Sequence, residues 1–292
     1  MINDKCLRVL VVDDTVVYRM TMKEILGELP GVEVVGTANN GKIALSKIAL
    51  LKPDLLSLDI EMPDMNGIEV LEHMKKDFPD VGAIVISAVT YEGGEMTMKA
   101  LELGAFDFIP KPDAGSMAEN RQLIKEAIAP MIRGFARRRE IRSILQKSNI
   151  PSTVEWKKET VEGIDEPSGR TKAISENRPV KSAVVAIGIS TGGPRALAEI
   201  LPSLPSPLGI PIFIAQHMPP IFTKALAKKL DMDCKLNVKE AQDGEVVLPD
   251  TVYIAPGGKQ MKVTERSRYG RVIRITEDPP ENSCRPSADY LF

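Results

Sequence analysis

The sequence predicts two α/β domains in tandem. The first is a doubly wound, five-stranded parallel sheet; a linker follows, then a second parallel-sheet α/β domain that is incomplete. Three observations carry this. Short apolar runs alternate with amphipathic stretches from residue 8 to 111, residues 148–180 are polar and rich in Pro, Ser, Glu and Lys, and at Val184 an apolar run leads through a glycine turn into a helical pattern. Continuous apolar strands between amphipathic helices mark a parallel sheet covered on both faces. A chain of 292 residues also exceeds the size at which one core usually stops growing. The expected divisions are residues 1–125, a helical extension and flexible linker over 126–180, and residues 181–292.

In the first domain "RVLVV" runs into Asp13 and Asp14, and "VVYRMTMKEILGEL" has helical spacing. "VEVVGTA" precedes "GKIALSKIALL", "DLLSLDI" precedes "GIEVLEHMKK", and "GAIVIS" precedes "EMTMKALEL"; "FDFIP" closes the series before Lys111. Ligands of such sheets bind beyond the carboxyl ends of the strands. Asp13, Asp14, Asp59, Ser87 and Lys111 all fall at those ends, so they should meet on one edge. A single Asp after a strand is ordinarily a helix cap or turn residue; five converging polar positions are a site. Three carboxylates at close range repel unless a divalent cation or a raised pKa relieves them. Oxygen-only ligands suit Mg²⁺ better than zinc. His73, mid-helix in "LEHMKK", has no partner motif and is expected at the surface.

The pieces "VVDD", "LSLDIEMPDMNGIEVL", "VIS" and "ALELGAFDFIPKP" resemble a response-regulator receiver domain over residues 7–125. The resemblance implies that Asp59 accepts a phosphoryl group from a phosphohistidine on a partner kinase. It also implies Mg²⁺ held by Asp14 and Asp59, by Asp13 largely through water, and by the Glu61 carbonyl. Ser87 and Lys111 would hold the phosphoryl oxygens, and Phe108 falls where the family has a switch aromatic; a plain core role is the other reading of Phe108.

From Met117 to about Gln146 the pattern is helical and ends in a basic stretch with Arg133, Arg137, Arg138, Arg139 and Arg142. No aromatic residues interleave with it and no DNA-binding motif follows, so a solvated or partner-facing helix is expected rather than a nucleic-acid surface. A formal net charge of −2 agrees with that exclusion. The linker composition cannot bury a core; Trp156, its one conspicuous apolar residue, is a candidate docking anchor. No apolar run reaches the length of a membrane span, and the N-terminus lacks a secretory pattern. Three scattered cysteines without metal-type spacing read as reduced thiols of a cytoplasmic protein.

"KSAVVAIGIS" has the β-branched content of a strand, and Pro194 suits the first turn of a helix. Gly188-x-Ser190-x-Gly192 is thus a strand–turn–helix elbow that would expose a serine hydroxyl, with backbone N–H groups at the helix start for an oxyanion or a phosphate. A dinucleotide loop would place glycine where Ser190 stands, and the acid expected about 20 residues on is missing from "PSPLGIPIF". A nucleophilic serine needs a base. The next apolar strand, "GIPIFIAQ", ends at His217, the one histidine outside the first domain, and adjacent parallel strands would set both residues at one sheet edge.

Together "GISTGGP", "QHMPP", "EAQDGEVVLPDTVYIAPGGKQMKV" and "CRPSADYLF" resemble the effector domain of the chemotaxis protein-glutamate methylesterases, the CheB family. The resemblance covers nearly the whole chain outside the linker. It implies hydrolysis of glutamate γ-methyl esters on methylated chemoreceptors with release of methanol, glutamine deamidation as a related activity, and a chemotaxis histidine kinase as partner. Ser190 would be the nucleophile, His217 the base, and Thr191 a neighbour of the oxyanion. The family's third member, an aspartate in a downstream glycine-rich motif, has no counterpart here; Asp289 sits in a different motif, and Asp243, Asp250 and Asp278 lack the pattern. The expectation is a C-terminally truncated form, with a non-enzymatic phospho-receiver binding protein as the alternative. The unphosphorylated first domain is expected to cover the Ser190 edge.

Overall fold

The computed structural model describes residues 6–112, 115–147, 183–266 and 270–292. The linker expected at 148–180, with Trp156, lies outside them. The first sheet has the order β2-β1-β3-β4-β5, every pair parallel. Its strands are β1 (Leu7–Val12), β2 (Val32–Ala38), β3 (Leu55–Asp59), β4 (Gly82–Ser87) and β5 (Asp107–Pro110). Strand side chains alternate between faces, and both faces are dry. Val9 and Val11 join Ile25, Leu26, Ile124 and Ile128 on the side of α1 (Val16–Gly27) and α5 (Met117–Lys147). Leu10 and Val12 join Ile48, Val70, Leu71 and Met98 on the side of α2 (Gly41–Leu51), α3 (Gly67–Asp77) and α4 (Tyr91–Glu102). His73 is half exposed, 3.8 Å from Asp77.

Helix α5 runs through the boundary expected at 125–126. Its first half is core, with Ile124, Ile128 and Ile132 buried; residues 136–145 are exposed and carry most of the basic stretch.

The second sheet has the order β6-β7-β9-β8, also parallel, from β6 (Val185–Ile189), β7 (Ile212–Gln216), β8 (Asn237–Glu240) and β9 (Thr251–Ile254). Helices α6 (Gly193–Ile200) and α7 (Pro220–Asp233) connect them, and α8 (Ala288–Leu291) ends the chain. An antiparallel pair, β10 (Gln260–Arg266) with β11 (Gly270–Thr276), adds to the parallel architecture expected. The three residues between them are too few for a parallel crossover.

The two domains share an apolar interface. One core cluster runs from Met98 and Phe108 of the first into Met218, Phe222 and Leu226 of the second, with the Phe108 and Phe222 rings 4.5 Å apart. Helix α4 lies on α7, and Gly94 makes the approach possible: a Cβ there would stand 3.1 Å from Ile221 Cγ2. Lys228–Glu95 and Lys229–Glu102, each 2.8 Å, border the contact. Such exposed pairs contribute about 0–1 kcal/mol, so the apolar contact dominates.

Candidate functional site

Two sites form, each at the carboxyl ends of a parallel sheet. In the first, Asp59 ends β3 and is almost fully buried, and Lys111 Nζ reaches its Oδ2 at 2.7 Å and Asp13 Oδ2 at 3.6 Å. Carboxylate oxygens of Asp13, Asp14 and Asp59 lie within 4.8 Å of one another. Burial pushes Asp59 up to about 6 against the opposing Lys111 ammonium, and burial likewise raises Asp13. For Lys111 burial works downward, but Asp59, Asp13 and Asp14 outweigh it and hold the ammonium above its ordinary value. The Glu61 N–H donates to Asp59 Oδ1 at 3.2 Å. Gly67 allows the following turn to close, since a Cβ there would lie 2.3 Å from the Asp59 carbonyl oxygen.

Ser87 is buried at this edge, but its hydroxyl donates to the Gly93 carbonyl at 3.0 Å, in the first turn of α4. Thr97 donates to the same oxygen at 2.7 Å. Phe108 is 4% exposed and packs across the domain interface.

In the second site the turn after β6 exposes Ser190. Gly192 takes φ +72°, a conformation that favours glycine, and Pro194 opens α6. His217 follows β7, and its Nδ1 lies 3.2 Å from Ser190 Oγ. The same nitrogen is 3.6 Å from Cys284 Sγ. Burial lowers the His217 pKa, which favours the neutral ring. Among the described residues no carboxylate bonds this ring. Asp243 accepts from Ile275 N–H, Asp250 from Leu208 and Gly209 N–H, Asp278 from Thr276 and Asp289 from Asn282.

Three groups at this site escape the motif reading. Gln216, buried just before His217, donates through Nε2 to the Ser190 carbonyl (3.2 Å) and the His217 carbonyl (3.3 Å), tying both turns together. Gly193 makes room for it: a Cβ would stand 2.0 Å from Gln216 Oε1. Gly193→Ala should therefore displace Gln216 and lower stability by about 1–3 kcal/mol, the usual range for overpacking. Thermal unfolding measures this, and an unchanged midpoint would show that the Gln216 contact is dispensable.

The third group is Asp107 of β5, 4% exposed, whose Oδ2 accepts the Gly192 N–H at 2.7 Å. Burial raises this carboxyl to about 6, partly offset by the N–H groups of Gly192 and Phe108. A cavity of about 170 Å³ lies beside Ser190 and His217, walled by Asp107 and Phe108 of β5 and by Ala127 and Met131 of α5.

Residues 9–124 match the family model of the response regulator receiver domain, and residues 185–292 that of the CheB methylesterase. A protein-glutamate methylesterase/protein-glutamine glutaminase of Desulfotalea psychrophila is 51% identical over 290 residues, covering 99% of this chain and 78% of that protein. One of Treponema denticola is 38% identical over 292 residues, 98% of this chain and 77% of that protein. The response regulator domain of Thermotoga maritima CheB is 41% identical, covering 44% of this chain and 96% of that one, with a TM-score of 0.40.

Proposed function

The chain belongs to the protein-glutamate methylesterase/protein-glutamine glutaminase family, a CheB methylesterase unit behind a receiver domain, and we propose from that premise that Ser190 and His217 carry the hydrolysis while Asp59 controls access to them. We divide the chain as residues 1–125, 126–180 and 181–292, with α5 reaching from the first segment into the second. The single observation that carries the catalytic reading is the 3.2 Å approach of Ser190 Oγ to His217 Nδ1.

That distance is within hydrogen-bond reach, as a nucleophile and its base require. A neutral ring protonated on Nε2 leaves Nδ1 to accept the Ser190 proton as Oγ attacks the ester carbonyl. Negative charge then builds on the ester oxygen beside the Thr191 N–H at the start of α6, where helix N–H groups favour an anion. Return of the proton from His217 expels methanol, and water releases the glutamate. Ammonia leaves in the same way from glutamine.

The acidic pocket fits a divalent cation: it offers oxygen ligands only, and Asp13 Oδ2 is buried without a hydrogen-bond partner. Mg²⁺ would be held by Asp13, Asp14, Asp59 and the Glu61 carbonyl, and when bound it neutralises charge on the transferring phosphoryl group. Lys111 does the same from the other side. The donor would be the phosphohistidine of a chemotaxis histidine kinase, and the substrates methylated chemoreceptors. A cytoplasmic location belongs to this reading; the described cysteines are free thiols, and no described helix is long and apolar enough to cross a membrane.

Asp107 supports inhibition by the receiver. Its carboxylate takes the Gly192 N–H, the anion-binding end of α6, while Phe108 narrows the adjoining cavity. A phosphoryl group on Asp59 that drew the Ser87 hydroxyl away from Gly93 would loosen the first turn of α4, the helix packed on α7. One test covers both sites: methanol release from methylated receptor by the full chain should rise with acetyl phosphate, and Asp59→Asn should keep basal release while losing the rise. A rise that survives in Asp59→Asn would remove Asp59 from its role.

A further inference from the structure

A second cavity, about 380 Å³, opens at the opposite end of the first sheet from Asp59, where β4 begins. Phe78 and Phe135 contribute an apolar floor, and Gly82 lets the Phe135 ring seat, since a Cβ there would lie 2.3 Å from it. The rim is cationic. Lys75 comes from α3, Arg138 and Arg142 from the outer half of α5, and Arg195 from α6 of the other domain.

These charges are poorly matched by acids. Arg195 is held by Glu199 at 3.0 Å, and Arg139, also on the rim, by Asp54 at 2.6 Å. Among the described residues Lys75, Arg138 and Arg142 have no ion-pair partner. Two acids line the cavity. Glu102 is taken by Lys229 and Lys99, and Asp80 pairs with none of the cations. Burial and then the facing Arg195 lower the Arg138 pKa, Glu199 opposes them, and Arg142 adds a smaller lowering. Arg138, Arg142 and Arg195 share a single nearby acid, Glu199, and an anion in their midst would relieve the repulsion that one carboxylate leaves.

We infer that this cleft binds the diphosphate group of a small ligand, with Arg138 and Arg142 reaching it from α5 and Arg195 from α6. The guanidinium fork matches phosphate oxygens in pairs. A volume of about 380 Å³ belongs to small-molecule sites and is too small for a folded partner. The phenylalanine floor offers a surface for a ring attached to the phosphates, so a nucleoside diphosphate uses the whole cleft while inorganic pyrophosphate uses only the rim. Because the cations come from both domains, the ligand ties α5 to α6. This consequence rests on the gating reading: the ligand holds the receiver over Ser190.

Isothermal titration of the full chain with ADP, pyrophosphate and adenosine, in EDTA so that no divalent ion recruits phosphate at the carboxylate pocket, tests the site. Saturable binding of ADP, weaker binding of pyrophosphate and none of adenosine are expected. Pyrophosphate binding as tightly as ADP would assign the site to inorganic diphosphate. The Arg138→Glu/Arg142→Glu variant, whose changes are on the exposed half of α5, should fold with an unchanged melting midpoint and lose at least about 100-fold in affinity, as for charge-assisted bonds. No saturable binding of either phosphate, equal binding by that variant, or adenosine binding as well as ADP would overturn the inference. ADP should also lower acetyl-phosphate-independent methanol release in the wild type and not in the variant. Binding without that inhibition would keep the site and sink only its link to the gate.

Discussion

Replacing Ser190 with alanine is expected to lower methanol release by at least about 10²-fold, because loss of the nucleophile removes the covalent route. Binding and oxyanion stabilisation alone retain about 10³–10⁴ over water in serine hydrolases. Initial rates on methylated receptor measure it. Undiminished activity would take Ser190 out of the mechanism. The pH dependence has a defined sign. Burial lowers the His217 pKa, so the free-base ring that accepts the proton persists below the ordinary 6.5, and the acid limb of the rate should lie below that value. Stability follows the same linkage: the unfolded chain takes up this proton first as pH falls through 6.5, so the folded state loses stability on that side.

The parallel sheets and the meeting of Ser190 with His217 were legible because strand direction in a parallel sheet places every carboxyl end on one edge. Two residues 27 positions apart are thereby brought to 3.2 Å. The β10–β11 pair was harder to see, since "QMKVTER" and "GRVIRIT" alternate apolar and polar residues only in part and three residues separate them. Asp107 carried a readable signal, a lone acid inside "AFDFIP", but nothing local says that its carboxylate points across a domain boundary to Gly192. Ser87 shows the same limit from the other side: its position at the strand end was readable, whereas its bond to Gly93 depends on how α4 is seated. Gln216 lies next to His217 in sequence, yet its effect on both turns exists only once β6 and β7 are paired. Contacts within one sheet edge follow from pattern; contacts between separately folded faces do not.

Gly94→Gln in the full chain is expected to raise acetyl-phosphate-independent methanol release on the order of tenfold and to abolish most of the further rise with the phosphodonor. The glycine is where α4 touches α7: a Cβ already lies 3.1 Å from Ile221 Cγ2 and 3.7 Å from Ala225 Cβ, so a larger side chain grown from it presses on α7. Overpacking of this kind opposes the closed contact by about 1–3 kcal/mol, against exposed ion pairs worth about 0–1 kcal/mol each. Either domain by itself gains, because replacing glycine inside a helix stabilises the helix by roughly 0.5–1 kcal/mol. The variant therefore separates opening from unfolding. The pH dependence identifies the gate further. Asp107 lies near its ordinary 3.8 when exposed and is raised to about 6 by burial in the closed contact, with only the N–H groups of Gly192 and Phe108 facing it and no cation paired with it among the described residues. The closed form thus binds the proton more tightly, and closing becomes more favourable as pH falls through about 6. The variant-to-wild-type ratio of basal rates cancels the titration of His217, which both proteins share, and should increase between pH 7 and pH 5. A ratio near one at every pH, with both proteins folded, would mean that the α4–α7 contact does not restrain Ser190 and that phosphorylation acts by another route.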